Sequence, residues 1–299
     1  MESKQRGAGP GAPAEPALEA RGVTRRFRLG LGLRANDALR GIDLEVPRGA
    51  TLGLVGPNGS GKSTLVRLLA GVDRPTSGTL RVLDAEPRSR AARQRSAYLP
   101  EDSPFPGELS ATAALDLLGA LSGLARKDAR ARGAALLERV GLGAAQRAPL
   151  RAYSRGMLRR FGLAQAFLAA PEVVLLDEPT AGLDALGFAV LDDLLGAASA
   201  RGATVVLASH ILSDVHAHCD HLAVLVAGRV AATGPPATLL ATDGRVRLDI
   251  DGLDEAGLAA LDAWLAPRGA RVTARLPGGK GLTELYRGAA SAPAAQAPR

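Results

Sequence analysis

The sequence predicts an α/β domain with a mostly parallel β-sheet, an inserted helical subdomain and a small α+β appendage near the C-terminal end. Short runs rich in Val, Leu and Ala alternate with longer helical stretches through most of the 299 residues. Two of the apolar runs end in polar or charged residues. Because ligand loops of open α/β sheets lie at the carboxyl ends of the strands, the alternation also predicts a functional site at one sheet edge.

The predicted strands are short, apolar and bounded by Gly, Pro or polar residues. They are Ile42–Val46, Thr51–Val55, Thr79–Val82, Ala97–Leu99, Val173–Asp177, Thr204–Ala208 and Leu222–Val226. The predicted helices are Lys62–Ala70, Ala111–Leu121, Lys127–Val140, Met157–Leu168, Ala185–Ala200 and Leu212–His218. Residues 110–168 are almost wholly helical in this pattern, so we expect a helical subdomain over about residues 102–168.

The rhythm of elements changes after residue 242. Residues 243–287 are predicted to form a small α+β appendage. Its predicted elements are a strand at Val246–Ile250, a helix at Glu255–Leu265, a strand at Ala270–Arg275 and a helical turn at Leu282–Arg287. The main domain then spans residues 18–242. Residues 1–17 and 288–299 are rich in Gly, Pro and Ala without periodicity, so we expect disordered tails there.

Composition restricts the class of protein. The formal net charge of +7 comes mostly from scattered Arg, which favours compositional bias over a nucleic-acid-binding face. No window approaches 18 consecutive apolar residues, and the first ten lack the apolar region of a signal peptide, so we expect no membrane span of its own. The only cysteine, Cys219, cannot form an intrachain disulfide, which suits a cytoplasmic location.

Residues 56–63 read GPNGSGKS and match the phosphate-loop pattern G-x-x-x-x-G-K-[ST] at every fixed position. The loop lies between the predicted strand Thr51–Val55 and the predicted helix Lys62–Ala70, so backbone N–H groups and the helix N-terminus converge on an anion. The alternative is a Gly-rich turn before an ordinary helix. The predicted phosphate-binding residues are Gly56, Pro57, Asn58, Gly59, Ser60, Gly61, Lys62, Ser63 and Thr64. Among them, Lys62 can reach the β and γ phosphates and Ser63 can ligate Mg²⁺.

The predicted strand Val173–Asp177 ends in two adjacent carboxylates, Asp177 and Glu178. A parallel strand would deliver both to the sheet edge beside the phosphate loop. Asp177 is then placed to hold Mg²⁺ through water, and Glu178 to act as general base on an attacking water. The alternative is a strand end with two solvated charges.

Two further motifs have ordinary alternatives. Strand Thr204–Ala208 leads to His210, which can contact a γ-phosphate or simply lie at the surface. Ser154 is a candidate N-cap for helix Met157–Leu168. The Ser154 hydroxyl, the Gly156 amide and the positive helix end can instead form a second phosphate-binding surface. Spacing does not decide between these alternatives.

Taken together, the motifs resemble those of the ATP-binding cassette (ABC) family over about residues 18–240. GPNGSGKST at Gly56–Thr64 resembles the phosphate loop, and VVLLDEPTAGLD at Val173–Asp184 resembles the magnesium strand, catalytic glutamate and D-loop. Ser209–His210 resembles the switch histidine. YSRGM at Tyr153–Met157 stands in place of the LSGGQ-type signature, with Arg155 and Met157 as departures.

The resemblance implies further ligand contacts. Phe27 is the candidate for stacking on adenine, with a core Phe on the first strand as the alternative. Tyr98–Glu101 resembles the Q-loop but carries Glu101 where the family has Gln. A carboxylate at this position can still ligate Mg²⁺ or its water. The implied cofactors are ATP and Mg²⁺.

Within the family, the chain looks like the ATPases of bacterial ABC-2-type exporters. This resemblance implies a cytoplasmic subunit on the inner face of the membrane that drives export by a separate transmembrane permease. It also implies a head-to-tail dimer with itself or a second ABC subunit, closed by ATP and reopened by hydrolysis. The candidate docking segment is Glu101–Ala114, which includes Phe105. The alternative is a soluble ABC ATPase acting on nucleic acid or ribosomes.

Overall fold

Two β-sheets and a set of helices form the N-terminal unit of the protein. The computed structural model describes residues 16–29, 34–211, 218–240, 252 and 254–272. The chain divides into two compact units, Met1–Leu240 and Ala241–Arg299. Among the described residues, no helix has both the length and the apolarity needed to cross a membrane.

The strands are β1 (Pro16–Leu29), β2 (Arg34–Pro47), β3 (Thr51–Val55), β4 (Ser77–Val82), β5 (Ser96–Leu99), β6 (Val173–Asp177), β7 (Thr204–Ser209), β8 (His221–Val226) and β9 (Arg229–Gly234). The helices are α1 (Lys62–Leu69), α2 (Arg90–Arg95), α3 (Ala111–Leu121), α4 (Arg126–Arg139), α5 (Arg155–Phe167), α6 (Ala185–Ala200), α7 (Pro236–Leu239) and α8 (Glu255–Leu265). Short 3₁₀ turns lie at Gly143–Ala145, Leu150–Ala152 and Ala266–Arg268.

The larger sheet has the strand order β5-β6-β7-β3-β8-β9, in which only the β8–β9 pair is antiparallel. This arrangement agrees with the predicted mostly parallel sheet. The register aligns the carboxyl ends of three neighbouring strands, because Val55 pairs with Ser209 and Asp177 pairs with Ala208. The residues that follow β3, β6 and β7 therefore meet at one edge.

Strand β6 shows why the central strands are apolar throughout. Val174 and Leu176 belong to the hydrophobic cluster that includes helices α3, α5 and α6. Val173 and Leu175 belong to a second cluster, with helix α1 and the antiparallel strands. Since side chains alternate between the two faces of a strand, a sheet covered on both faces needs apolar residues at every position.

A smaller antiparallel sheet has the order β2-β1-β4. Strand β1 was not predicted from the sequence, and only the last part of β2 was predicted. Pro16 and Ala17 belong to β1, and Ala17 is buried, so the predicted N-terminal tail extended two residues too far. Strand β9 and helix α2 were also not predicted.

The predicted elements near the C-terminal end are described only in part. Helix α8 has the predicted bounds, Glu255–Leu265. Residues 270–272 are not in a strand, although Ala270–Arg275 was predicted as one. The predicted strand Val246–Ile250, the helical turn Leu282–Arg287 and most of the helix Leu212–His218 lie outside the described residues.

Candidate functional site

The phosphate loop follows β3 and ends where Gly61 begins helix α1 with a φ of 106°. At two of its glycines the loop packs so closely on neighbouring strands that a side chain does not fit. A Cβ atom at Gly56 would lie 2.2 Å from the carbonyl oxygen of Leu225, and one at Gly61 would lie 2.6 Å from that of Ala38. Both glycines are therefore required for the observed loop, because a Cβ there would overlap backbone atoms.

Lys62 is buried beneath this loop, with 5% of its surface exposed. Its Nζ donates to the carbonyl oxygens of Gly56 at 2.8 Å and Pro57 at 3.4 Å, and it lies 3.8 Å from Oε1 of Glu178. Ser60 Oγ is buried without a hydrogen-bond partner among the described residues. A buried cation, an unpaired hydroxyl and a helix N-terminus together fit a phosphate group.

Asp177 lies at the end of β6 and accepts a hydrogen bond from Ser63 Oγ at 3.0 Å. Burial raises the pKa of Asp177 to about 6; the Ser63 hydrogen bond opposes this shift, and the charges of Glu101 and Glu178 add to it. A buried carboxylate beside a hydroxyl is a ligand pair that suits Mg²⁺, because hard cations prefer oxygen ligands. The Glu101 side chain itself is exposed.

Glu178 is the next residue, but its side chain faces different partners. Its Oε2 accepts from Ser209 Oγ at 3.3 Å and lies 2.9 Å from Nδ1 of His210. Glu178 has a φ of 47°, in the left-handed region that costs a non-glycine residue about 1 kcal/mol or more. Its N–H donates to the carbonyl of Ala208, which joins the turn to β7.

The structure therefore brings Lys62, Ser63, Asp177, Glu178 and His210 together at one sheet edge. His210 contacts Glu178 even though its side chain is 45% exposed. Two residues at this edge were not singled out from the sequence. Ser209 was named only as part of the motif with His210. Arg159, which donates to the carbonyl oxygens of Asp177 and Glu178, was not predicted, because an arginine within a helix usually lies on a solvated face.

Ser154 and Gly156 lie at the beginning of helix α5. Ser154 Oγ accepts from the N–H of Met157 at 3.2 Å, so Ser154 is the N-cap. A Cβ atom at Gly156 would lie 3.6 Å from Asp184 Oδ2. The described contacts connect these residues with α5 and the turn at 182–184, whereas the phosphate loop adjoins β2 and β8. Ser154 is exposed, so its hydroxyl is accessible to a ligand that another molecule holds.

Two aromatic residues have neighbours within the chain. Phe27 on β1 is half-buried, and within the described part of the chain it belongs to neither hydrophobic cluster, which does not favour the alternative of a core residue. The guanidinium carbon of Arg25 lies 4.5 Å from the centre of its ring. The ring of Phe105 packs edge-on against Phe161 of helix α5, with 4.8 Å between centroids. Phe105 is thus partly buried and packs against the core.

Comparisons with known proteins agree with this geometry. A model of the ABC transporter family matches residues 39–181. The daunorubicin resistance ATP-binding protein DrrA3 of Streptomyces coeruleorubidus is 38% identical over 256 residues, which cover 85% of this chain and 79% of that protein. The chain belongs to the ABC transporter family of ATP-binding proteins.

Other comparisons support the same conclusion for this ABC ATPase. The Nod factor export ATP-binding protein I of Ralstonia nicotianae is 32% identical, with 89% of this chain and 81% of that protein covered. A solved structure of the ATP-binding subunit of an ABC transporter has a TM-score of 0.68 and 28% identity, covering 75% of this chain and 91% of that one. The predicted family, its phosphate-loop fold and the ATPase activity are confirmed. The alternative, a soluble ABC ATPase that acts on nucleic acid or ribosomes, is not favoured.

Proposed function

We propose that this ABC ATPase drives export through a separate transmembrane permease, with ATP bound at the edge formed by β3, β6 and β7. The observation that carries the proposal is the meeting of Lys62, Ser63, Asp177 and Glu178 at one place. Together these side chains provide a buried cation, a hydroxyl and two buried carboxylates. That set supplies the groups on this chain that would bind a magnesium nucleotide and activate a water.

Mg²⁺ would be held by Ser63 Oγ and by Asp177, which already lie 3.0 Å apart. When bound, the ion neutralises charge on the phosphate oxygens. Lys62 would exchange its contacts with the loop carbonyls for contacts with the β and γ phosphates. Glu101 is a weaker candidate for the ion, because its side chain is exposed and its effect on Asp177 is electrostatic.

Glu178 would accept the proton of the attacking water. Its carboxylate is buried and is oriented by Ser209 and His210. Because His210 lies beside Oε2 and is partly exposed, it would bridge the general base and the γ-phosphate. A positioned general base contributes about 10² to 10⁴ in rate.

A dimer would complete the nucleotide site. The exposed Ser154 hydroxyl and the N-terminal end of α5 are positioned to bind an anion held by another subunit. The same chain supplies the phosphate loop, so two copies arranged head to tail would form two equivalent sites. A second, different ABC subunit could take the place of one copy. Phe27 would stack on adenine at the periphery of each site, beside Arg25.

Two relatives favour export as the transport direction. One is named for daunorubicin resistance and the other for Nod factor export. In this proposal the ATPase is cytoplasmic and lies on the inner face of the membrane, where segment Glu101–Ala114 would contact the permease. The permease would bind the cargo, and nucleic acid is not expected to be a partner.

The test is the variant Glu178→Gln, which keeps the size of the side chain and one acceptor oxygen but cannot act as a base. We expect ATP hydrolysis by the purified protein to fall by about 10² to 10⁴. ATP binding should remain, because Lys62, Ser63 and Asp177 are unchanged. With hydrolysis blocked, ATP and Mg²⁺ should shift the variant from monomer to dimer on a sizing column.

Glu172→Gln is the matched control, because Glu172 lies before the same strand in an exposed ion pair with Arg95. It should hydrolyse ATP at the wild-type rate. If Glu178→Gln also retained that rate, Glu178 would not be the base. An inactive Glu178→Gln protein that stays monomeric would leave the base in place and point to a different ABC subunit as its partner.

A further inference from the structure

Arg159 is a buried arginine that connects two segments of the active site. It lies in helix α5, and 6% of its surface is exposed. One end of its guanidinium group, Nη1, donates to the carbonyl oxygens of Pro100 at 2.8 Å and Glu101 at 3.0 Å. The Arg159 cation thus contacts the loop that follows β5.

The rest of the same guanidinium group binds the turn that follows β6. Nη2 donates to the carbonyl oxygens of Asp177, at 2.9 Å, and Glu178, and Nε donates to that of Pro179 at 3.3 Å. All five acceptors of Arg159 are therefore main-chain carbonyl oxygens, three of them in the catalytic turn. A planar guanidinium with five N–H donors can bind both segments at once, whereas lysine has three donors on one atom.

The neighbouring residue shows that burial alone does not explain these contacts. Arg160 is as buried as Arg159, and it also binds carbonyl oxygens, those of Val140 and Gly141 at the end of α4. Arg160 fastens helix α5 to the end of α4, and its Nε lies 3.8 Å from Oδ1 of Asp184, whereas Arg159 fastens α5 to the turn at 177–179. Burial lowers the pKa of Arg159, so holding this charge inside the protein opposes folding.

We propose that Arg159 is a positioning residue for ATP hydrolysis, which holds the turn at 177–179 so that the Glu178 carboxylate faces the attacking water. The proposal rests on Glu178 as the general base. Glu178 has a φ of 47°, a conformation that a non-glycine residue keeps only when its surroundings hold it there. Two hydrogen bonds from Arg159, to the carbonyls before and after the Glu178 Cα, hold that conformation.

Arg159 also gives the loop at 100–101 a direct connection to the general base. A movement of the Pro100 and Glu101 carbonyls would be transmitted through one side chain to Asp177, Glu178 and Pro179. Since Glu101 begins the segment that we expect to contact the permease, contact there would alter the orientation of Glu178 without any change at the phosphate loop.

The experiment compares Arg159→Gln and Arg159→Lys with the matched control Arg160→Gln in the full chain. We expect Arg159→Gln to lower kcat about 10- to 100-fold, because a small misplacement of a catalytic group has effects of this size. The KM for ATP should change less than about twofold, since Arg159 does not contact the nucleotide loop. Arg159→Lys should give an intermediate kcat, because it retains the charge and some of the donors.

A double variant separates positioning from general loss of structure. In the Glu178→Gln background, Arg159→Gln should cause no further loss of the residual hydrolysis of radiolabelled ATP, because its effect acts through Glu178. Arg160→Gln should lower the melting temperature and reduce hydrolysis by the same factor in both backgrounds. Hydrogen exchange should rise together at residues 100–104 and 178–182 in Arg159→Gln, and near residues 140–145 in Arg160→Gln.

The inference is overturned if Arg159→Gln slows the Glu178→Gln protein by the same factor as the wild type, or if its main effect is on KM. If Arg159→Gln does not fold, the same two comparisons are made with Arg159→Lys. A wild-type protein without ATPase activity would contradict the proposed function itself, which keeps that failure distinct from a failure of the role of Arg159.

Discussion

Asp177 and Glu178 are adjacent in the chain but are held by different parts of the structure. Asp177 faces helix α1 through Ser63, whereas Glu178 faces the end of β7 through Ser209 and His210. The left-handed conformation of Glu178 turns the two side chains apart. In the proposed function, one carboxylate would hold the cation and the other would accept a proton, although both follow the same strand.

Asp177 opposes the folding of the ligand-free protein. Its pKa of about 6 in the folded state lies above its ordinary value, so the folded protein binds this proton more tightly than the unfolded chain does. The tighter binding of this proton therefore stabilises the folded protein below the ordinary pKa of Asp177. This stabilisation is lost as the pH rises through about 6. Above that pH, the ionised Asp177 is destabilising by about 2–3 kcal/mol.

The variant Asp177→Asn should accordingly be more stable than the wild type by about 2–3 kcal/mol at pH 7.5 without Mg²⁺, because it removes the buried charge. The amide oxygen can still accept from Ser63. Chemical denaturation at several pH values would measure the difference, which should vanish below about pH 4, where Asp177 is protonated in both states. Magnesium ATP should stabilise the wild type and not the variant. Lower stability of the variant at pH 7.5 would contradict this account.

The sequence was sufficient to place the residues with fixed motif positions. Lys62, Ser63, Asp177 and Glu178 were predicted to meet because a parallel strand would deliver both carboxylates to the sheet edge beside the phosphate loop, and the structure brings them together. Arg159 could not be predicted in this way. Its role depends on which carbonyl oxygens lie opposite helix α5, and that information is in the tertiary packing. A double arginine between apolar helical positions was the one available signal.

At the scale of an element, helix α5 is stabilised both by a local N-cap and by the burial of its middle. Ser154 caps its first turn, and its middle is buried from Arg159 to Ala164. The sequence left open whether Ser154 serves as a cap or as a phosphate contact. The cap is present in the structure, and it does not exclude the phosphate contact, because the hydroxyl is exposed.

Ser154→Asp distinguishes the two roles. Asp is as good an N-cap as Ser, so the stability of the protein should be retained, whereas Ser154→Ala should lose about 1 kcal/mol. A negative charge at this place should repel a phosphate held by the facing subunit. We therefore expect Ser154→Asp to reduce both ATP hydrolysis and ATP-driven dimerisation at unchanged melting temperature. Full activity of Ser154→Asp would show that Ser154 is a cap alone.

The elements that the sequence predicted well are those buried on both faces or strongly amphipathic. Strand β6 and helix α3 have their predicted bounds. Strand β1 was missed because its alternation is interrupted by register shifts and its exposed positions are rich in arginine. In a sheet with one solvated face, a bulge moves later side chains to the opposite face, and the two-residue period is lost.

At the scale of the whole molecule, transport requires the ATPase to act on a second protein. The predicted docking segment begins at Glu101, whose carbonyl binds Arg159, and continues to helix α3. Phe105 within it was expected to contact the permease, but its ring packs against Phe161. Replacing Phe105 would therefore disturb the fold as well as the surface, and it is a poor test of docking by itself.

A pair of variants separates docking from folding. Asp102 is exposed, so Asp102→Lys should leave the melting temperature unchanged while reversing a charge on the docking segment. We expect it to reduce co-purification of the ATPase with membranes that contain the permease. Phe105→Ala should instead destabilise the ATPase by about 2 kcal/mol, because it removes a half-buried ring from the contact with Phe161. If Asp102→Lys remained on the membranes while Phe105→Ala was lost in proportion to its instability, the permease would bind another surface of this subunit.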